Sequence, residues 1–129
     1  MSVGGAIRVL VVEDNSALAN VLRFNLERAG HSVCVARNGR EGWDNLTHQP
    51  FDLIISDHQM PEISGVELCR LVRSDERFHD LPFMLVTAKR FELDIEHIHR
   101  ELGITKTFSK PFSPAAIVSA VGDLMSLAH

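Results

Sequence analysis

Residues Phe51–Pro61 read FDLIISDHQMP, and this stretch decides the fold. Its apolar run, Phe51–Ser56, is almost unbroken, as in strands covered on both faces, and such strands pair in parallel. The run stops at Asp57, an acid where the strand gives out. Working outward, four further short apolar runs occur at Arg8–Val12, Ser32–Ala36, Pro82–Val86 and Thr105–Phe108. The first and third of these have the same unbroken character. Ser32–Ala36 and Thr105–Phe108 are more mixed, which suits strands nearer the edges of a sheet.

Stretches of helical period separate the runs. Leu18, Val21, Leu22 and Leu26 mark one face of a first helix, capped by Asn15 or Ser16 and closed by Gly30. Second and fourth helices of less regular pattern are expected near Arg40–Thr47 and Glu92–Leu102. A third runs from Gly65 to about Ser74, with Val66, Leu68, Cys69 and Val72 at helical spacing. The last opens on Ser113-Pro114, a cap followed by proline at the first helical position, and continues through Ile117, Val121, Leu124 and Ala128. Strict alternation of strand and helix predicts one α/β sheet with right-handed crossovers and helices on both faces.

The composition agrees with a single domain. The chain has 129 residues, 45% hydrophobic and 23% charged, enough to bury one core without staples and too apolar for disorder. Net charge is −4 with the signs mixed along the chain, so no basic stripe for direct nucleic-acid binding is expected. Residues 1–6 read as a loose lead-in and 7–128 as the domain. The opening MSVGGAIR is too short and polar for a signal peptide, and no apolar stretch is long enough to span a membrane. Cys34 and Cys69 sit in apolar runs without metal spacing and read as buried thiols. A reducing cytoplasm fits.

Function is announced by the residues that close the runs. The first ends in Glu13-Asp14, the third in Asp57, the fourth in Thr87 and the fifth in Lys110-Pro111. In a parallel sheet all of these points emerge at one carboxyl edge, where open α/β sheets bind their ligands. Three carboxylates brought that close repel by on the order of several kcal/mol at an effective dielectric near 20, unless a cation neutralises them. Hard oxygen ligands without thiolate or an obvious histidine favour Mg²⁺. With Mg²⁺, the Lys110 ammonium and the Thr87 hydroxyl each able to hold a phosphoryl oxygen, Asp57 becomes a credible nucleophile toward phosphorus. No G-x-x-x-x-G-K-[ST] loop is present, so ATP is not expected as the direct donor.

VLVVEDN, DLIISDHQMP followed by SG, MLVTAK and FSKPF together resemble the successive signatures of response-regulator receiver domains, from about Ile7 to Leu127. The resemblance implies a flavodoxin-like, CheY-like five-stranded parallel sheet of order 2-1-3-4-5. It implies Asp57 as phosphoacceptor, with Thr87 and Lys110 on the phosphoryl group. Asp14 would contact Mg²⁺ directly, Glu13 through water, and the main-chain carbonyl of Gln59 would complete the ligands with Asp57. Lys110–Pro111 would be cis, and Ala88 would keep the space beside Thr87 small. Gln59 and Lys89 occupy positions that influence attack of water on the acyl phosphate. The implied donor is a sensor histidine kinase or histidine phosphotransfer protein. An output partner would use the face of the fourth helix, fifth strand and fifth helix.

The chain departs from the family pattern at three places. Its acid pair is Glu-Asp, Glu62 stands where glycine is common, and Thr107 takes the place of the switch aromatic. Phe108 is adjacent, but alternation along a strand sends it to the opposite face, so a shifted or weaker coupling to the output face is expected. His58 beside Asp57 reads as a solvent-facing loop residue, and His97 and His99 as pointing in different directions on a helix. Trp43 is expected to pack near Leu46. A signalling switch with at most slow self-dephosphorylation stands against two other classes: a Mg²⁺-dependent phosphatase-like enzyme and a pseudo-receiver binding module. Enzymes of that kind need Asp-x-Asp, where this chain has Glu13-Asp14-Asn15 and Asp57-His58-Gln59. The complete acid, hydroxyl and lysine set argues against the binding module.

Overall fold

The computed structural model describes residues 6–88 and 94–127. Lys89, Glu92, Ala128 and all but the last residue of the expected lead-in therefore lie outside the described residues. Strands β1 (Arg8–Val12), β2 (Ser32–Ala36), β3 (Leu53–Asp57), β4 (Phe83–Thr87) and β5 (Lys106–Ser109) alternate with helices α1 (Ser16–Arg28), α2 (Gly39–His48), α3 (Gly65–Ser74), α4 (Ile95–Leu102) and α5 (Pro114–Leu127). The strands form one parallel sheet of order β2-β1-β3-β4-β5. The expected order is found, with the two mixed runs at the edges.

Alternation along the strands sorts the apolar residues into two cores. Leu10, Val12, Ile54 and Leu85 face α2, α3 and α4, where they meet Leu46, Leu68, Cys69, Val72, Ile98 and Leu102. Val9, Val11, Leu53, Ile55, Met84 and Val86 face α1 and α5, packing on Leu22, Leu26, Ile117 and Val121. Covering both faces removes each of these side chains from water, at about 1.5–3 kcal/mol apiece.

Local chemistry fixes the helix ends. The Asn15 side chain accepts from Leu18 N at 3.0 Å and caps α1, and Gly30, at φ 100°, follows its last turn. Ser64 and Glu67 form a reciprocal capping box on α3. Ser113 accepts from Ala116 N at 3.2 Å ahead of Pro114. Arg73 of α3 reaches four carbonyls, those of Leu102, Gly103, Phe78 and Leu81, and so ties the end of α4 to the segment before β4.

Three expectations need correction. Cys34, expected to be a buried thiol, is only half-buried. Val21 is 40% exposed and does not share the buried face of α1, whose inward residues are Ala19, Leu22 and Leu26. The strands β3 and β4 also extend one residue further than their apolar runs, because Asp57 and Thr87 still pair in the ladder. Trp43 packs edge-on against Phe78, with ring centroids 5.9 Å apart.

Candidate functional site

Each polar residue at the sheet's carboxyl edge is held by backbone hydrogen bonds that continue the ladder. Glu13 N donates to Ala36 O at 2.9 Å, His58 N to Val86 O at 2.8 Å, and Lys110 N to Thr87 O at 2.9 Å. These bonds bring Glu13, Asp57, Thr87 and Lys110 to one rim although they are spread over almost a hundred positions. The Lys110–Pro111 peptide is cis, as the resemblance implies.

The side chains converge. Lys110 Nζ lies 3.0 Å from Asp57 Oδ1 and 3.4 Å from Glu13 Oε1. Carboxylate oxygens of Glu13, Asp14 and Asp57 all lie within 4.8 Å of one another. Glu13 and Asp57 are each only 3% exposed and Thr87 is fully buried, whereas Asp14 faces solvent. Among the described residues no histidine or cysteine joins this group.

Burial dominates the electrostatics. It pushes the Asp57 carboxyl above its ordinary pKa; contact with Lys110 pulls the other way and the charge of Asp14 adds to the rise. Burial likewise raises Glu13, against a hydrogen bond from Asn15 N and with help from Asp57. Burial alone would lower the Lys110 ammonium, but its contacts with Asp57 and Glu13 prevail and leave it raised. Asp57 Oδ1 is buried and, beyond the Lys110 ion contact, has no well-angled hydrogen-bond partner among the described residues. Three crowded carboxylates sharing a single ammonium fit a hard divalent cation.

Two neighbours complete the rim. Gly65 N donates to His58 O at 3.0 Å, and a Cβ at Gly65 would fall 2.5 Å from the carbonyl oxygen of Asp57. Only glycine lets α3 begin that close to the acid. Glu62, at φ 67°, adopts a left-handed conformation that glycine takes without strain.

The chemistry-bearing groups expected from the runs, Glu13, Asp14, Asp57, Thr87 and Lys110, are thus at one edge. A family model described as "Response regulator receiver domain" matches residues 9–122. The chain belongs to that family. It is 31% identical over 121 residues to a chemotaxis protein CheY homolog of Campylobacter jejuni, covering 92% of each. It is 33% identical over 114 residues to the alkaline phosphatase synthesis transcriptional regulatory protein PhoP of Bacillus subtilis, covering 88% of this chain but only 46% of that protein. Among solved structures, the receiver domain of a signal transduction histidine kinase from Syntrophus aciditrophicus superposes with a TM-score of 0.84 at 34% identity, covering 94% of this chain and 91% of that one. This receiver domain is a phosphoacceptor module of two-component signalling.

Sequence reasoning missed three contacts. The Gln59 side chain bridges to β4, its Nε2 donating to Thr87 Oγ1 at 2.7 Å and its Oε1 accepting from Ala88 N at 3.2 Å. His58 is half-buried rather than solvent-facing, and its Nδ1 meets Val66 N at 3.4 Å; burial lowers its pKa. His99 Nε2 lies 2.8 Å from the Thr107 hydroxyl, whereas His97 turns outward to Glu101. No periodicity signals contacts of this kind: Gln59 reaches the end of β4, His58 meets the start of α3, and His99 meets β5. Phe108 does face the opposite side, in the core with α1 and α5.

Proposed function

We propose that Asp57 accepts a phosphoryl group from the histidine of a sensor histidine kinase or histidine phosphotransfer protein, in a Mg²⁺-dependent reaction, and that the modified domain changes its affinity for an output partner. The observation carrying this is the buried Asp57 carboxylate with Lys110 Nζ at 3.0 Å and two further carboxylates within 4.8 Å. Mg²⁺ would be held by Asp14 directly, by Glu13 through water, by Asp57 and by the main-chain carbonyl of Gln59. When bound, it supplies charge neutralisation for the crowded acids and the incoming phosphoryl oxygens.

An oxygen of ionised Asp57 attacks phosphorus in line with the leaving imidazole nitrogen. The O–P bond forms as the P–N bond breaks, and its electron pair stays on the ring nitrogen. Lys110 and the Thr87 hydroxyl then hold two of the phosphoryl oxygens. An apolar groove of about 420 Å³, lined by Leu18, Val21, Phe112 and Pro114, opens beside Lys110 and gives the donor protein a surface to rest on. Output through α4, β5 and α5 follows from the family resemblance. The chain acts as a switch that keeps its modification, not as a catalyst of turnover. The cytoplasm suits a module fed by such a donor, and no helix among the described residues is long and apolar enough to cross a membrane.

Phosphoramidate with Mg²⁺ tests the reading. Intact-mass analysis should show one added, hydroxylamine-labile phosphoryl group, lost in EDTA and lost in Asp57→Asn. Undiminished phosphorylation of Asp57→Asn, or steady turnover without a retained group, overturns it.

A further inference from the structure

The Gln59 carboxamide is fixed in a way that bears on how Asp57 is modified. Ala88 N can only donate, so the atom facing it at 3.2 Å must be Oε1, which leaves Nε2 facing Thr87 Oγ1 at 2.7 Å. One side chain from the loop after β3 therefore engages both a hydroxyl and a main-chain N–H at the end of β4. Both groups directly follow Val86, the residue that pairs with Asp57 in the ladder. A phosphoryl group on Asp57 brings three acceptor oxygens to this edge and needs donors there. Ala88 N–H cannot serve a phosphoryl oxygen while it serves Gln59. Lys110 alone is an insufficient partner, being shared already between Asp57 and Glu13.

We propose that the Gln59 side chain is a resting-state latch. It takes up the Ala88 N–H donor and holds the Thr87 hydroxyl as an acceptor in the unmodified protein, and it is displaced when Asp57 carries a phosphoryl group, so that it sets how readily the modified state forms. Gln59 is a positioning residue, acting through Thr87 and Ala88. The inference rests on the assignment of Asp57 as phosphoacceptor.

Beryllofluoride, a stable mimic of the aspartyl phosphoryl group, serves as the probe, titrated at saturating Mg²⁺ and followed by ¹⁹F NMR. Gln59→Leu keeps the bulk and removes both hydrogen bonds. It should bind the probe about five-fold more tightly, the weight of one net hydrogen bond. Gln59→Glu presents a carboxylate that accepts from both the Thr87 hydroxyl and Ala88 N–H and repels the anion, so it should bind at least about five-fold more weakly. A merely structural tie would not move the two variants in opposite directions. Unchanged or weaker binding by Gln59→Leu overturns the latch. A second measurement needs no substitution. In the wild-type protein the Gln59 carboxamide protons should exchange slowly with water and lose that protection when beryllofluoride binds; protection retained in the bound state also overturns it. If the wild-type protein neither binds beryllofluoride nor takes a phosphoryl group from phosphoramidate, the receiver assignment of Asp57 fails and takes the latch with it. Normal wild-type binding without the Gln59→Leu gain defeats the latch alone.

Discussion

Replacing Asp14 with asparagine should make the metal-free protein more stable. Asp14 is exposed, yet its oxygens lie within 4.8 Å of those of Glu13 and Asp57, which are buried and carry raised pKa values. At that separation each like-charge pair costs about 3.5 kcal/mol at an effective dielectric of 20 and about 0.9 kcal/mol in bulk water. Solvent at Asp14 puts the true figure near the lower bound, and attraction to Lys110 offsets part of it. The net gain expected for Asp14→Asn is therefore about 1 kcal/mol. Urea denaturation in EDTA at low ionic strength should show it as a midpoint raised by roughly 0.5 M. In about 1 M salt, where the screening length falls to roughly 3 Å, the gain should shrink. With Mg²⁺ the order should narrow or reverse, because the wild-type protein is stabilised by ligand binding and the variant less so. A midpoint at or below wild type in EDTA and low salt would refute the claim that these acids are held together against their own repulsion.

Three further outcomes are expected from the packing. Gly65→Ala would put a methyl 2.5 Å from Asp57 O, 2.8 Å from Leu85 Cδ1 and 2.9 Å from His58 Cα. Backbone has to move, so a loss of about 1–3 kcal/mol in a melt, together with slower phosphorylation, is expected. Arg73→Lys keeps the charge but not the fork that reaches four carbonyls; thermal denaturation should show it about 1–3 kcal/mol less stable. Cys69 is fully buried, and burial pushes its thiol up from 9.0 to about 11, so iodoacetamide should label half-buried Cys34 first and Cys69 only on unfolding. The unfolded chain then binds fewer thiol protons than the folded one between those values, so this group lowers stability progressively as pH rises from 9.0 toward about 11.

The fold was legible because burial on both faces of a parallel strand leaves an unmistakable apolar run, and because the residues closing each run are polar. The same rule misjudged strand ends by one residue: Asp57 and Thr87 are polar but still bonded in the ladder, and hydropathy does not see hydrogen bonds. Val21 matched the helical period of α1 yet is exposed, since Ala19, Leu22 and Leu26 already fill the contact with the sheet. His58 misled for a different reason. A polar residue in a loop is normally solvated, but here α3 starts so close to Asp57, through Gly65, that its N-terminus covers the imidazole. The tie between His99 and Thr107 lay beyond reach because nothing in either residue's neighbours specifies how α4 sits on β5.

Charge at the rim explains why so many parts are needed. Three carboxylates against one ammonium leave the site short of positive charge, and burial of Glu13 and Asp57 makes that deficit expensive. On the proposed reading a divalent cation would remove the deficit, but a phosphoryl group of charge about −1.5 to −2 would reopen it. Lys110 is already committed to Asp57 and Glu13, so accommodating the new oxygens requires it to change partners and Thr87 to turn toward them. The backbones of the two residues are linked. Lys110 N is hydrogen-bonded to Thr87 O at 2.9 Å, and Thr87 pairs with Ser109 in the ladder, so the root of the lysine is fastened to β4 as well as β5. On the proposed reading, a shift of the β4 backbone at Thr87 would carry the start of the β5–α5 connection with it.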